Sequence, residues 1–105
     1  MDGFLTFQSE MYKSLANPHR LAIVNVLKTE EVNATRLAEM LKISKANLSQ
    51  HMSVLVSRGI VTARKEGSNV YYRLSGKLVK QACSIMEELA IETAKREQDR
   101  INRAF

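Results

Sequence analysis

The sequence predicts a mainly α-helical protein with one small β-hairpin. Apolar residues recur at three- and four-residue steps over most of the chain, which is the spacing of one helix face. Residues 60–65 and 70–74 are short runs rich in β-branched and aromatic types, and turn-forming residues at 66–69 separate them. A chain of 105 residues with 45% hydrophobic content is long enough for one core, so we expect a single domain over residues 1–105.

Two helices are predicted before residue 30. The first covers about residues 4–16 and has an apolar face formed by Phe4, Phe7, Met11 and Leu15. Asn17 and Pro18 then combine a preferred N-cap with a proline at the first helical position. The helix that follows is apolar on most sides, through Leu21, Ile23, Val24, Val26 and Leu27. This pattern predicts a buried central helix.

A helix, a short turn and a second helix are predicted over residues 33–58. Asn33 is a plausible cap for the first of them, and Ile43 is expected as the buried residue of the turn. Ser44 begins the second helix, and Arg58 and Gly59 end it. The residues of this helix that are expected to point inward are Leu48, Met52, Leu55 and Val56.

The last predicted element is a long helix over about residues 76–103, with Ser75 as its cap. It carries two adjoining apolar stripes, which consist of Leu78, Ala82, Ile85 and Leu89 and of Val79, Cys83, Met86 and Ala90. Such an apolar helix at the end of a small domain needs a partner, so we expect a homodimer formed through the first and last helices.

The order of these elements is that of a winged helix-turn-helix, with the wing at about residues 60–74. The net charge of +5 and the pI near 9.6 favour a polyanionic partner such as nucleic acid. We therefore expect binding to double-stranded DNA through short polar and basic side chains. The expected DNA-contacting residues are Ser44, Lys45, Asn47, Ser49, Gln50, His51, Ser53, Arg64, Lys65, Asn69 and Arg73.

Several motifs resemble those of the ArsR/SmtB family of repressors, from about residue 11 to residue 75. They are LANPHRL at 15–21, LAE at 37–39, LSQHMSVL at 48–55 and GSNVYYRL at 67–74. The resemblance implies a symmetric dimer that sits on an inverted-repeat operator and leaves it when an inducer binds. The expected function is thus that of a sequence-specific transcriptional repressor.

The chain departs from this family where inducers are usually sensed. Residues 33–35 are Asn-Ala-Thr where many members have Cys-x-Cys, and residues 77–105 contain no histidine for the other common metal site. Residues 18–28 contain no cysteine, so a sulfur switch within one chain is also excluded. We expect no metal and no cofactor, and the effector stays open between Cys83 chemistry, an organic ligand and no effector at all.

Cys83 has two interpretations. It could be a thiol sensor or meet its symmetry mate, but its position between Val79 and Met86 on an apolar stripe favours a small hydrophobic packing residue. A lone cysteine and an acidic N-terminus without a basic region favour a cytoplasmic protein. The longest uncharged apolar runs, such as residues 21–27, are far below the roughly 18 residues that span a membrane.

The sequence shows no catalytic constellation. There are no paired acids beside a nucleophile, no metal-binding histidine pair at helical spacing and no glycine-rich phosphate loop, so we expect no enzymatic activity. The alternative to a DNA-binding regulator is a winged-helix module for protein assembly, whose basic surface binds an acidic protein.

Overall fold

Helices and strands follow one another along the chain in the order that the sequence predicts, with one strand added. The structure is a computed structural model and describes residues 2–104. Its elements are α1 Gly3–Leu15, α2 Pro18–Leu27, β1 Val32–Asn33, α3 Ala34–Leu41, α4 Lys45–Ser57, β2 Val61–Glu66, β3 Asn69–Leu74 and α5 Lys77–Ala104. Residues up to Ser75 form one compact unit, and those from Gly76 onward form another. The expectation of a single domain stays a prediction.

Side-chain caps begin the first four helices. The Asp2 carboxylate accepts a hydrogen bond from the amide of Leu5 at α1, and Asn17 caps α2 through the amide of Arg20. Asn33 caps α3, and the Ser44 hydroxyl accepts from the amide of Asn47 at α4. Each cap satisfies backbone donors that the first helical turn leaves unpaired. The predictions for Asn17, Asn33 and Ser44 are confirmed.

The helix-turn-helix has two well-defined helix ends. After α4, Gly59 adopts a φ of 77° and donates to the carbonyl of Val56, and Ile60 donates to that of Leu55. This is a Schellman motif, which needs a left-handed residue at the position of Gly59. At the end of α3 the left-handed residue is Lys42, with a φ of 57°, although side chains disfavour that conformation.

The core of the first unit is built on α2, α3 and α4. Its buried apolar residues are Ile23, Val24, Leu27, Val32, Leu37, Ala38, Leu48, Met52, Leu55, Ile60 and Val61. The predicted inward position of Val56 is wrong, since this side chain is 40% exposed beyond the edge of the seam formed by Leu48, Met52 and Leu55. Ile43 is half-buried rather than buried, and Leu21 is exposed.

The strands form an antiparallel sheet in the order β1-β3-β2. The hairpin is confirmed, with Val61 opposite Leu74 at its base and Glu66 opposite Asn69 at its tip. Its loop is shorter than expected, and Gly67 provides a φ of 62° at the first of two loop positions. A type II′ turn reserves that position for glycine. The short strand β1 was not predicted.

The second unit contains α5, which is 28 residues long. Its exposed large apolar side chains are Leu78, Ile85, Met86, Leu89, Ile91 and Ile101. The predicted cap is wrong, because α5 begins at Lys77 and the Ser75 hydroxyl donates to the carbonyl of Gly59 at 2.6 Å. No helix among residues 2–104 combines the length and the apolar character that a membrane crossing needs.

Candidate nucleic-acid interface

Helix α4 presents a polar face opposite its buried seam. Leu48, Met52 and Leu55 are packed inward at intervals of four and three residues, so the other side of the helix faces outward. The exposed side chains of that face include Lys45, Asn47, Ser49, Gln50 and Ser53, all of them sequence-predicted contacts. Among residues 2–104, no hydrogen bond or ion pair engages these five side chains, so their donors and acceptors are available to a ligand.

Ser44 lies at the N-terminus of this face. Its hydroxyl oxygen accepts from the amide of Asn47 at 3.0 Å, and its hydrogen remains available for donation. The N-terminus of a 13-residue helix carries a partial positive charge, and Lys45 adds a full one. This end of α4 therefore favours an anionic group such as phosphate.

His51 lies at the edge of the polar face and is half-buried. Its Nδ1 is 3.5 Å from Nη1 of Arg20, whose Nε donates to the carbonyl of Ser14 at 2.6 Å. The ring of His19 is 5.4 Å away between centroids. Burial lowers the pKa of His51, and the charges of Arg20 and His19 lower it further. A neutral imidazole follows at pH 7, which suits packing or a hydrogen bond better than ionic contact with phosphate.

The predicted wing cations lie on opposite faces of the hairpin. Arg64 is opposite Tyr71 in the register and Lys65 is opposite Val70, and neighbouring strand residues point to opposite sides. Arg73 shares the face of Arg64 and donates from Nε to the hydroxyl of Thr62 at 3.2 Å. The structure therefore does not bring Arg64, Lys65 and Arg73 together into one basic patch.

Arg64 is the most heavily engaged residue of the wing. Its Nη2 lies 2.7 Å from Oε1 of Glu31, and its Nη1 lies 2.5 Å from Oε2 of Glu66. Its guanidinium carbon is 4.6 Å from the ring centroid of Tyr71. The hydrogen bond from Arg64 lowers the pKa of Glu31, and both carboxylates raise the pKa of Arg64. Two negative charges thus balance this cation within the protein.

Asn69 is engaged as well, since its side-chain oxygen accepts from Nδ2 of Asn33 at 3.3 Å. Sequence reasoning missed Glu31 and Asn33 as partners of the wing. They lie 33 and 36 residues away from Arg64 and Asn69, so no local spacing could signal the pairs.

The remaining candidate, Cys83, lies on α5 and is half-buried. Within residues 2–104, the structure places no three His, Cys, Asp or Glu side chains where together they could hold a metal ion. The expected absence of a metal and of a cofactor stays a prediction, as does the role of Cys83.

Sequence comparison relates the chain to transcription regulators. Residues 15–64 match the model of a family described as a helix-turn-helix domain. The chain is 35% identical over 79 residues to the transcriptional activator HlyU of Vibrio cholerae, covering 75% of this chain and 73% of that protein. It is 34% identical over 67 residues to a transcriptional repressor SmtB homolog of Synechocystis, covering 64% of this chain and 51% of that protein.

Solved structures show the same architecture. A homodimeric winged helix-turn-helix DNA-binding domain from Mycobacterium bovis, described as a possible ArsR-family transcriptional regulator, has a TM-score of 0.83 at 29% identity. That similarity covers 89% of this chain and 86% of the other. HlyU from Vibrio cholerae has a TM-score of 0.76 at 32% identity, covering 85% of this chain and 97% of the other. The fold is therefore a winged helix-turn-helix.

Proposed function

Because the chain belongs to the ArsR/SmtB family of winged helix-turn-helix transcription regulators, we propose that it is a sequence-specific repressor that binds double-stranded DNA as a dimer. The observation that carries the proposal is the outer face of α4, whose short polar side chains are exposed and without partners among residues 2–104. An α-helix fits the major groove, which is about 12 Å wide.

The face of α4 has the chemistry to read bases. Gln50 and Asn47 each carry an amide that can donate to and accept from one adenine, and Lys45 can donate to guanine or phosphate. The hydroxyl groups of Ser44, Ser49 and Ser53 can bond a phosphate or the edge of a base. We assign base recognition mainly to Gln50 and Asn47, and the orientation of the helix on the duplex to the others.

In this proposal the wing contacts the phosphate backbone of the DNA. Lys65 is exposed and makes no ion pair among the described residues, and Arg73 is exposed with a single hydrogen bond to Thr62. Such cations neutralise phosphates and release counterions, which gives affinity for any duplex. Lys65 and Arg73 lie on opposite faces of the hairpin, so the two contact different phosphates.

The dimer is supported by apolar residues that the chain leaves uncovered. On α1, Phe4 is 67% and Phe7 is 59% exposed, and on α5 Leu78 is 80% exposed. Contact between copies through α1 and α5 removes such surface from water. A two-fold dimer matches an inverted-repeat operator, because the symmetry of the site mirrors that of the protein. Sedimentation equilibrium at several protein concentrations tests this part directly.

The effector is not identified in this proposal. The candidates are oxidation or modification of Cys83, an organic ligand and the absence of any effector, and the expected lack of the usual family metal sites is part of the proposal. A repressor acts where the DNA lies, so the cytoplasmic location belongs to the proposal too.

The test is a fluorescence-anisotropy titration with the duplex upstream of the protein's own gene and with a scrambled duplex, each at two salt concentrations. We expect a large preference for the first duplex and a steep loss of affinity as salt rises. Equal affinity for both duplexes contradicts sequence-specific regulation. Dimerisation without any duplex affinity at low salt favours the assembly module. In vitro transcription from the same DNA then separates repression from activation.

A further inference from the structure

The segment just before α3 is joined to the wing by backbone and side-chain bonds. Val32 and Asn33 pair with Tyr72 and Tyr71 as the third strand of the sheet. In addition, the side chain of Glu31, just before this strand, binds Arg64, and the side chain of Asn33 donates to Asn69. The same Asn33 caps α3 through its side-chain oxygen. The wing is therefore attached to the start of the helix-turn-helix and not only to the end of α4.

The contact between Glu31 and Arg64 has the geometry of a fixed pair. Nη2 donates to Oε1 at 2.7 Å and Nε lies 3.4 Å from Oε2, so both carboxylate oxygens face the guanidinium. Tyr71 lies under the guanidinium, whose carbon is 4.6 Å from the ring centroid, and the Arg64 side chain stays 50% exposed. Bidentate contact and stacking together restrict the long arginine side chain to one orientation.

We propose that Glu31, Arg64 and Tyr71 form a clamp that sets the angle of the wing to the helix-turn-helix, and that Arg64 supports DNA binding as a positioning residue instead of a phosphate contact. The inference rests on the proposed DNA-binding function and refines it. One member of the clamp, Glu31, is an acid whose presence then strengthens binding to a polyanion.

Glu66 offers a matched comparison. Both acids bind Arg64, but Glu66 lies on the same strand, two residues away, whereas Glu31 lies outside the hairpin. Loss of Glu66 leaves the side-chain link between Arg64 and the segment before α3 in place. Loss of Glu31 removes that link, with the same change in charge, while the backbone pairing of β1 with β3 stays.

The variants Glu31→Gln and Glu66→Gln therefore have opposite expected effects on operator affinity. Glu66→Gln removes a negative charge near DNA and raises affinity modestly, by less than about twofold. Glu31→Gln removes an equal charge yet lowers affinity roughly two- to fivefold, since an exposed ion pair that orders a segment is worth about that much. If Glu31→Gln raises affinity as Glu66→Gln does, the clamp is wrong.

Variants of Arg64 separate positioning from phosphate contact. Lysine keeps the charge but neither binds a carboxylate through two nitrogens of one plane nor stacks as a plane on tyrosine. The clamp predicts that Arg64→Lys loses most of the affinity that Arg64→Gln loses, with a remaining difference no larger than the charge effect of Glu66→Gln, and that adding Glu31→Gln to Arg64→Gln causes no further loss. Retained affinity in Arg64→Lys, or additive effects in the double variant, identifies Arg64 as a direct phosphate contact.

A measurement without DNA keeps the clamp testable even if the proposed function fails. In an ¹H–¹⁵N NMR spectrum, we expect a separate Arg64 Nε–H signal that is protected from exchange and shifted by the Tyr71 ring. Glu31→Gln should remove the protection, and Glu66→Gln should keep it. An unprotected Arg64 signal in the parent protein contradicts the clamp, whereas a protected signal without any duplex affinity contradicts only the proposed function.

Discussion

Helix α4 and the wing differ in how their predicted contact residues are held. On α4, Gln50 and Lys45 are exposed without intramolecular partners among the described residues. On the wing, Arg64, Asn69 and Arg73 each bind another side chain of the protein. The wing has β1 and the segment before it as neighbours, which supply Asn33 and Glu31 as partners. Most predicted contacts of the wing are therefore engaged within the protein, whereas Gln50 and Lys45 on α4 are free among the described residues.

In the proposed function, this difference gives α4 and Arg64 separate roles: α4 discriminates between bases, and Arg64 orients the wing. A side chain that discriminates between bases must be free to exchange water for a base edge, which suits α4. A side chain that holds the wing at a fixed angle must keep its partner when DNA binds, which suits Arg64. Lys65 combines features of both regions, since it lies on the wing like Arg64 but makes no ion pair among residues 2–104, like the polar residues of α4.

The largest expected effect is on stability, because the buried seam of α4 holds this helix so that its polar face points outward. Leu48 is 2% exposed, and Leu48→Ala should lower the free energy of unfolding by about 2–5 kcal/mol through lost burial and a residual cavity. Val56→Ala on the same helix is the control and should cost less than about 1 kcal/mol, because Val56 is exposed. Urea unfolding at one fixed protein concentration measures both. Equal costs would mean that α4 is not held by this seam.

The next effect concerns reading by α4. Gln50→Ala should weaken binding to the operator by about 1–3 kcal/mol, because a bidentate amide contact to one base is lost. Affinity for a scrambled duplex should hardly change. Anisotropy titrations against operators with single base changes should show relaxed preference at one position. A uniform loss over all duplexes would place Gln50 on the DNA backbone instead.

The corresponding change in the wing should act on every duplex alike. Lys65→Ala removes one phosphate contact and should cost about 1 kcal/mol on operator and scrambled DNA. The slope of log K against log salt concentration is negative, and its magnitude should decrease by about 0.9. A loss confined to the operator would assign Lys65 to base recognition.

Local chemistry explains which parts of the fold the sequence predicts well. Asn17 with Pro18, Ser44 and Gly59 mark helix ends through their own backbone preferences and nearby amides, so short motifs locate them. The same is true of the hairpin, where Gly67 marks the turn. By contrast, the hydroxyl of Ser75 was expected at a helix start but donates to Gly59, 16 residues earlier.

Contacts between distant segments could not be predicted from the sequence, for a physical reason. Strand β1 has only two residues, too few for an alternating pattern, and it exists because β3 offers Tyr71 and Tyr72 as partners. The pairing of Arg64 with Glu31 likewise depends on that strand. Sequence reasoning therefore predicted correctly which polar residues of α4 are exposed, whereas it treated the wing cations as free when most of them have partners.

The smallest predicted effect concerns His51, which is neither free like Gln50 nor fixed to the wing like Arg64. Burial lowers its pKa in the folded protein below the ordinary value of 6.5, so in the window just below pH 6.5 the unfolded chain binds more protons. Stability is then complete above pH 6.5 and is lost as pH falls through the folded-state pKa. Urea midpoints at pH 7.5 and 5.5 should differ more for the parent than for His51→Gln, which lacks this titration. The His19→Gln variant retains most of the difference, because burial is the leading cause of the shift and Arg20 still faces the ring. If His51→Gln and the parent lose the same stability, His51 titrates alike in the folded and unfolded states, and burial does not hold it neutral at the edge of α4.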